Sequence, residues 1–169
     1  GSGLSAENAE SGINVLAQNG ISLAKQSYLF SGAGLSVSGE VAIVEGSLVE
    51  AQQSEVTLGS GMKLSANSAW NSDSLEIDSP VLEVFQSTIR YEDEAAINLA
   101  RDLKLVNNSE ITGNMLEPST LALTGRNVLV GGRSQLDAGL GIDMKLTGDF
   151  DLSGESRVQV GIDRLQNPD

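Results

Sequence analysis

Four aspartates toward the carboxyl end, Asp137, Asp143, Asp149 and Asp151, are the residues whose type and spacing best suit catalysis. Asp149 and Asp151 flank Phe150 at i and i+2, so in a strand both side chains project to one outward face. Asp137 and Asp143 would join them if adjacent turns of chain closed a groove. Two carboxylates at a set separation, one with a raised pKa, hydrolyse glycosidic bonds. Clustered carboxylates, sometimes with calcium, also serve polysaccharide lyases, which want a basic residue as well. Arg133, Lys145 and Arg157 are the nearest. Against catalysis stands a simpler reading, a solvated face of an acidic protein.

Seven serines invite a second chemistry, nucleophilic attack. They head the steps Ser27-Tyr28-Leu29, Ser47-Leu48-Val49, Ser68-Ala69-Trp70, Ser87-Thr88-Ile89, Ser109-Glu110-Ile111, Ser134-Gln135-Leu136 and Ser156-Arg157-Val158. A serine nucleophile needs a positioned base, most often histidine. The chain has no histidine and no cysteine. The serines therefore read as turn hydroxyls bonded to backbone or to one another. The same absences remove the commonest metal ligands, and no cofactor is expected.

The elements that must position these side chains follow from the serines' own spacing of 20, 21, 19, 22, 25 and 22 residues. Between one serine and the next the chain shows two further alternating apolar steps, for example Leu75-x-Ile77 and Leu82-x-Val84 before Ser87-x-Ile89. Strict alternation is the signature of half-buried strands. In the second unit the steps read Leu35-x-Val37, Val41-x-Ile43 and Ser47-x-Val49. Each unit is thus three short strands parted by Gly, Ser, Asn and Asp turns. Such a unit buries its apolar face only by stacking on copies of itself. The predicted fold is all-β, a right-handed parallel β-helix of about seven coils over residues 12–160. Residues 1–11 are expected to be a tag remnant and lead-in, and residues 161–169 a tail. At ~4.8 Å per coil the rod would be on the order of 34 Å long.

The repeat L-x-L, L-x-L, S-x-[LIV] with Gly/Ser/Asn turns resembles the filamentous haemagglutinin repeat, over roughly residues 12–160. That resemblance implies a right-handed β-helical shaft of a two-partner-secreted bacterial exoprotein, an adhesin or contact-dependent inhibition protein. It implies a secreted or cell-surface location and no catalysis. The implied partners are a host or neighbouring-cell surface, glycan or protein, and flanking coils of the parent chain. The asparagine-proline secretion signature of the family's amino-terminal domain is not found, so an internal segment is expected. A phage or secretion-system spike is a further alternative.

Charge narrows the partners. Ten basic against 23 acidic residues give a net charge of −13, which disfavours a phosphate backbone, so no nucleic acid is expected. No apolar run approaches the ~20 residues that span a bilayer, so no membrane insertion is expected. Outward apolar residues are the best binding candidates. Tyr28, Phe30 and Leu48 alternate with inward Leu29 and Val49 and should be exposed. They read equally as an interaction surface or as a contact for a removed neighbouring coil. Met115 and Leu116 lie in residues 113–119, which depart from the repeat, and such departures often carry function. Trp70 is inward by register. Glu92-Asp93-Glu94 reads as a solvated turn. Lys63, Glu83 and Lys104 should form an outward ladder of alternating charge.

Overall fold

The computed structural model describes residues 3–6 and 12–161. The strands are β1 (Gly3–Ala6), β2 (Ile13–Ala17), β3 (Ile21–Ala24), β4 (Tyr28–Glu45), β5 (Leu48–Ser65), β6 (Ala69–Phe85) and β7 (Thr88–Val106). There follow β8 (Glu110–Gly113), β9 (Thr120–Gly125), β10 (Asn127–Gly131), β11 (Gln135–Ala138), β12 (Gly141–Leu146), β13 (Phe150–Leu152) and β14 (Arg157–Val160). Every pairing is parallel, each segment bonding to its counterpart one repeat away. The chain is a parallel β-solenoid of about seven turns, as the repeat predicts. The lead-in contributes β1, which pairs with residues 28–31. Gly1, Ser2 and most of the tail, residues 162–169, lie outside the described residues.

Three faces make each turn. The serine face carries residues 28–31 and their counterparts, the second face residues 34–39 and theirs, and the third face residues 41–45 and theirs. β4 through β7 run unbroken around two of the corners, where three separate short strands were expected. In β4 those corners survive only as register shifts between Ser31 and Gly34 and between Gly39 and Val41. The third corner is a true turn made by left-handed residues just before each serine. Gln26, Asn67, Gln86, Asn108, Arg133 and Glu155 hold φ between 49° and 66° there, and Gly46 holds 57°. Two consecutive left-handed residues, as at Asn107 and Asn108, fold the chain back within a single step.

The core is the stack of inward positions. Leu29, Val49, Trp70, Ile89, Ile111 and Leu136 line the serine face, each at most 5% exposed. Trp70 is inward as its register requires, and its Nε1 donates to Ser54 Oγ at 3.1 Å. That bond explains Ser54, a buried hydroxyl at the inward position that Leu35 and Leu75 hold in the adjacent turns.

One strand frame is corrected. Ala42 and Val44 face the core at 2% exposure, and Val41 and Ile43 face outward. Ala42 pairs with Met62 and Val44 with Leu64, which fixes the phase of the segment. All four residues of the run are apolar, so alternation alone leaves two frames open.

Candidate functional site

The serine hydroxyls are bonded into the corners. Ser109 N donates to Ser134 Oγ at 3.1 Å, and Ser134 N donates to Ser156 Oγ at 3.0 Å. Ser27, Ser47 and Ser68 repeat the link to the serine of the next turn. The hydroxyls of Ser27, Ser47, Ser68, Ser87, Ser109 and Ser134 also donate to nearby carbonyls, as Ser134 Oγ does to Gly131 O at 2.7 Å. Ser47, Ser68, Ser87, Ser109 and Ser134 are buried. A hydroxyl that already donates and accepts inside the fold is a corner staple, as read from the sequence.

The four aspartates are not brought together. Asp137 is on the serine face in β11, Asp143 on the second face in β12, and Asp151 on the third face in β13 with Asp149 just before it. Asp143 is exposed and ion-paired to Lys145 on its own strand at 3.3 Å. Asp149 and Asp151 are exposed as expected.

Asp137 departs from the expected solvated acid: it is 4% exposed. β8 and β14 flank it in register at Thr112 and Gln159, and the Arg157 guanidinium lies 3.5 Å from its Oδ2. Its Oδ1 is buried without a hydrogen-bond partner. Burial pushes the carboxyl above its ordinary range, against the opposing pull of Arg157 and with a further push from Glu110. No group of three or more acidic side chains that could hold a metal ion occurs among the described residues.

The outward apolar candidates are half-buried rather than fully exposed. Tyr28 and Phe30 stack with ring centroids 6.0 Å apart and planes 10° apart. Tyr28 and Leu48 are in register in adjacent turns. Met115 and Leu116 are exposed, Leu116 at 86%, on a turn that replaces the tight corner between the serine and second faces. Ser119 anchors that turn: its Oγ donates to Asn114 O and accepts Gly139 N, and its carbonyl accepts Leu140 N. The charge ladder forms in part. Lys63, Glu83 and Lys104 are in register, and Lys104 Nζ lies 2.9 Å from Glu83 Oε1.

Two concave features were not legible in the sequence. A shallow groove of about 1080 Å³ follows the second face along its first three positions, from residues 12–14 to residues 141–143. Its lining mixes glycine, alanine and serine with Leu35, Leu75 and Leu121, and its charged residues are all acids, Glu55, Glu76, Glu94 and Asp143.

A smaller cleft, about 480 Å³, lies on the serine face beside the corner, among Phe30, Glu50, Asn71, Asp73, Arg90 and Glu92. This is the place where carboxylates, an amide, a guanidinium and an aromatic ring converge. Partial burial, with Asp93 and Glu92 nearby, pushes the Asp73 carboxyl up. Asn114 Nδ2 donates to Glu92 Oε2 at 2.7 Å, tying the cleft's far wall to the turn that carries Met115 and Leu116. Comparison with known proteins gives no match: no family model, no curated protein and no solved structure is similar to this chain.

Proposed function

We propose that this β-solenoid is a non-catalytic shaft segment of a secreted or cell-surface bacterial protein, of the filamentous haemagglutinin type, that presents an adhesive surface. The observation that carries the reading is the dispersal of the four candidate aspartates over three faces around an unbroken core, Asp137 on one, Asp143 on a second, and Asp149 and Asp151 by a third. A glycosidase needs two such groups flanking one bond, and Asp137 and Asp143 lie on different faces from each other and from the exposed pair Asp149 and Asp151. The serines, the other candidate nucleophiles, are committed to corners. A stack of parallel turns with a continuous core suits a rigid spacer, since each turn is held by both neighbours.

The test is to coat beads with the purified chain and score adherence to bacterial and epithelial cells. Neutral and acidic polysaccharides are incubated with the chain in parallel, with and without calcium, and assayed for new chain ends. Adherence without new ends is the expected result. New reducing or unsaturated ends, lost in an Asp149→Ala/Asp151→Ala variant, would make the chain an enzyme. Neither adherence nor cleavage would reduce it to a spacer.

A further inference from the structure

Four outward side chains of the serine face stand in strict register in successive turns: Phe30, Glu50, Asn71 and Arg90. At ~4.8 Å per turn the row is roughly 14 Å long. It presents in order a ring, a carboxylate acceptor, an amide that donates and accepts, and a five-donor guanidinium. The row lines the serine-face cleft, whose volume of about 480 Å³ falls within the range of small-ligand sites.

The row's polar groups are under-used within the fold. Among the described residues Glu50 receives two long bonds, from Tyr28 Oη and Asn71 Nδ2, each at 3.4 Å. Both lie beyond the usual span for such bonds. Asn71 Oδ1 is buried with no hydrogen-bond partner among the described residues. Arg90 is exposed and is in none of the ion pairs among the described residues, although Glu50, Asp73 and Glu92 line the same cleft. Phe30 is fixed by its stack on Tyr28, so the ring is held ready at the head of the row.

We propose that this cleft binds a neutral oligosaccharide of two or three pyranose rings, an inference that rests on the adhesive reading and gives it a ligand class. A pyranose offers an apolar face for Phe30 and hydroxyls that donate to Glu50 and accept from the Asn71 amide and Arg90. Three carboxylates against one guanidinium, on a chain of net charge −13, disfavour an acidic glycan. A peptide added as a strand is disfavoured too, because the strands along the row are already paired on both sides.

The purified chain is applied to immobilised neutral tetrasaccharides (β-glucan, α-glucan, galactan, mannan and N-acetylchitotetraose), with polyuronate as the acidic control. Affinity for the best-retained sugar is then measured for wild type, Arg90→Gln, Asn71→Leu and Arg133→Gln. The expected result is retention of at least one neutral sugar and none of the polyuronate. Affinity should fall about tenfold or more in Arg90→Gln and Asn71→Leu, the scale of a lost charge-assisted or buried hydrogen bond. Arg133→Gln, at a corner away from the cleft, should bind as wild type does.

Asn71→Leu should also unfold no earlier than wild type, because it deletes an unmatched buried oxygen; a merely structural role predicts the opposite. Arg90 is exposed, so its substitution leaves the fold intact and the outcome readable. Sugar binding unchanged in both variants would overturn the cleft and leave the adhesive reading standing. Adherence to cells with no neutral sugar retained would also overturn the cleft alone. Loss of both adherence and sugar retention would remove the adhesive reading with it.

Discussion

The Tyr91 hydroxyl donates to the carbonyl of Asp137 at 3.1 Å, spanning two turns of the solenoid. The ring passes Gly113 in the turn between, where an added Cβ would lie 2.7 Å from two ring carbons and closer still to the Ser119 hydroxyl. Tyr91 is 1% exposed, and burial with nearby Asp137 pushes its phenol far above any working pH, so it acts only as a neutral donor. One side chain thereby ties β7 to β11 beneath the turn that holds Met115 and Leu116.

That tie has a measurable worth. Tyr91→Phe keeps the ring and deletes the donor, leaving a buried carbonyl short of a partner, at a cost of about 1–2 kcal/mol in urea unfolding. Gly113→Ala should cost more, about 2 kcal/mol or above, because the Tyr91 ring and the Ser119 hydroxyl must both shift. A Tyr91→Phe variant as stable as wild type would show that the hydroxyl carries no weight.

Burial of Asp137 sets a pH dependence. Its folded pKa is raised above the ordinary 3.8, with burial the first cause. Between those two values the native state binds more protons than the unfolded chain, so stability falls as pH rises through the window. Above the raised value the full penalty persists; below 3.8 it vanishes. Denaturation midpoints measured between about pH 3 and pH 7 should therefore fall with rising pH, and Asp137→Asn should flatten part of the slope. Asp73, also raised, contributes in the same direction. An identical slope in Asp137→Asn would place the effect elsewhere.

Much of this architecture was readable because the physics repeats. An inward residue every second position, three times per turn, cannot be satisfied without neighbours above and below. The serines were readable for the same reason, since each corner poses the same unmatched backbone groups. What alternation could not resolve was the frame of the run Val41-Ala42-Ile43-Val44, where every residue is apolar. It also could not show that Asp137 is covered, because that depends on Arg157 one turn away and on the flanking strands. Tyr28 and Phe30 were found as outward apolar residues. Glu50, Asn71 and Arg90 were missed beside them, although successive steps of 20, 21 and 19 residues along the row that starts at Phe30 were the available signal.

The corners hold latent strain that can be relieved. Gln86 sits at φ 49°, where Cβ crowds the backbone, while the equivalent Gly46 meets the same demand without one. Gln86→Gly should raise stability by a few tenths to about 1 kcal/mol, the left-handed penalty less the entropy glycine gains when unfolded. Gly46→Val should lower it by about 1–2 kcal/mol. Thermal melts of both variants read the sign directly, and a destabilised Gln86→Gly would mean its side chain matters more than its φ.

Ser134 separates the staple from the nucleophile. Its Oγ accepts the buried Ser109 N–H at 3.1 Å and donates to Gly131 O at 2.7 Å, and the residue is fully buried. Ser134→Ala strands both groups in the interior, so unfolding should become easier by about 1–3 kcal/mol. An activated serine would instead be modified by a fluorophosphonate, which labels nucleophilic hydroxyls. No label is expected on any corner serine, because no histidine is present to take the proton, and six of the seven hydroxyls already donate to a carbonyl. Covalent labelling of Ser134 in the wild type, with stability unchanged in Ser134→Ala, would reverse both halves of the assignment.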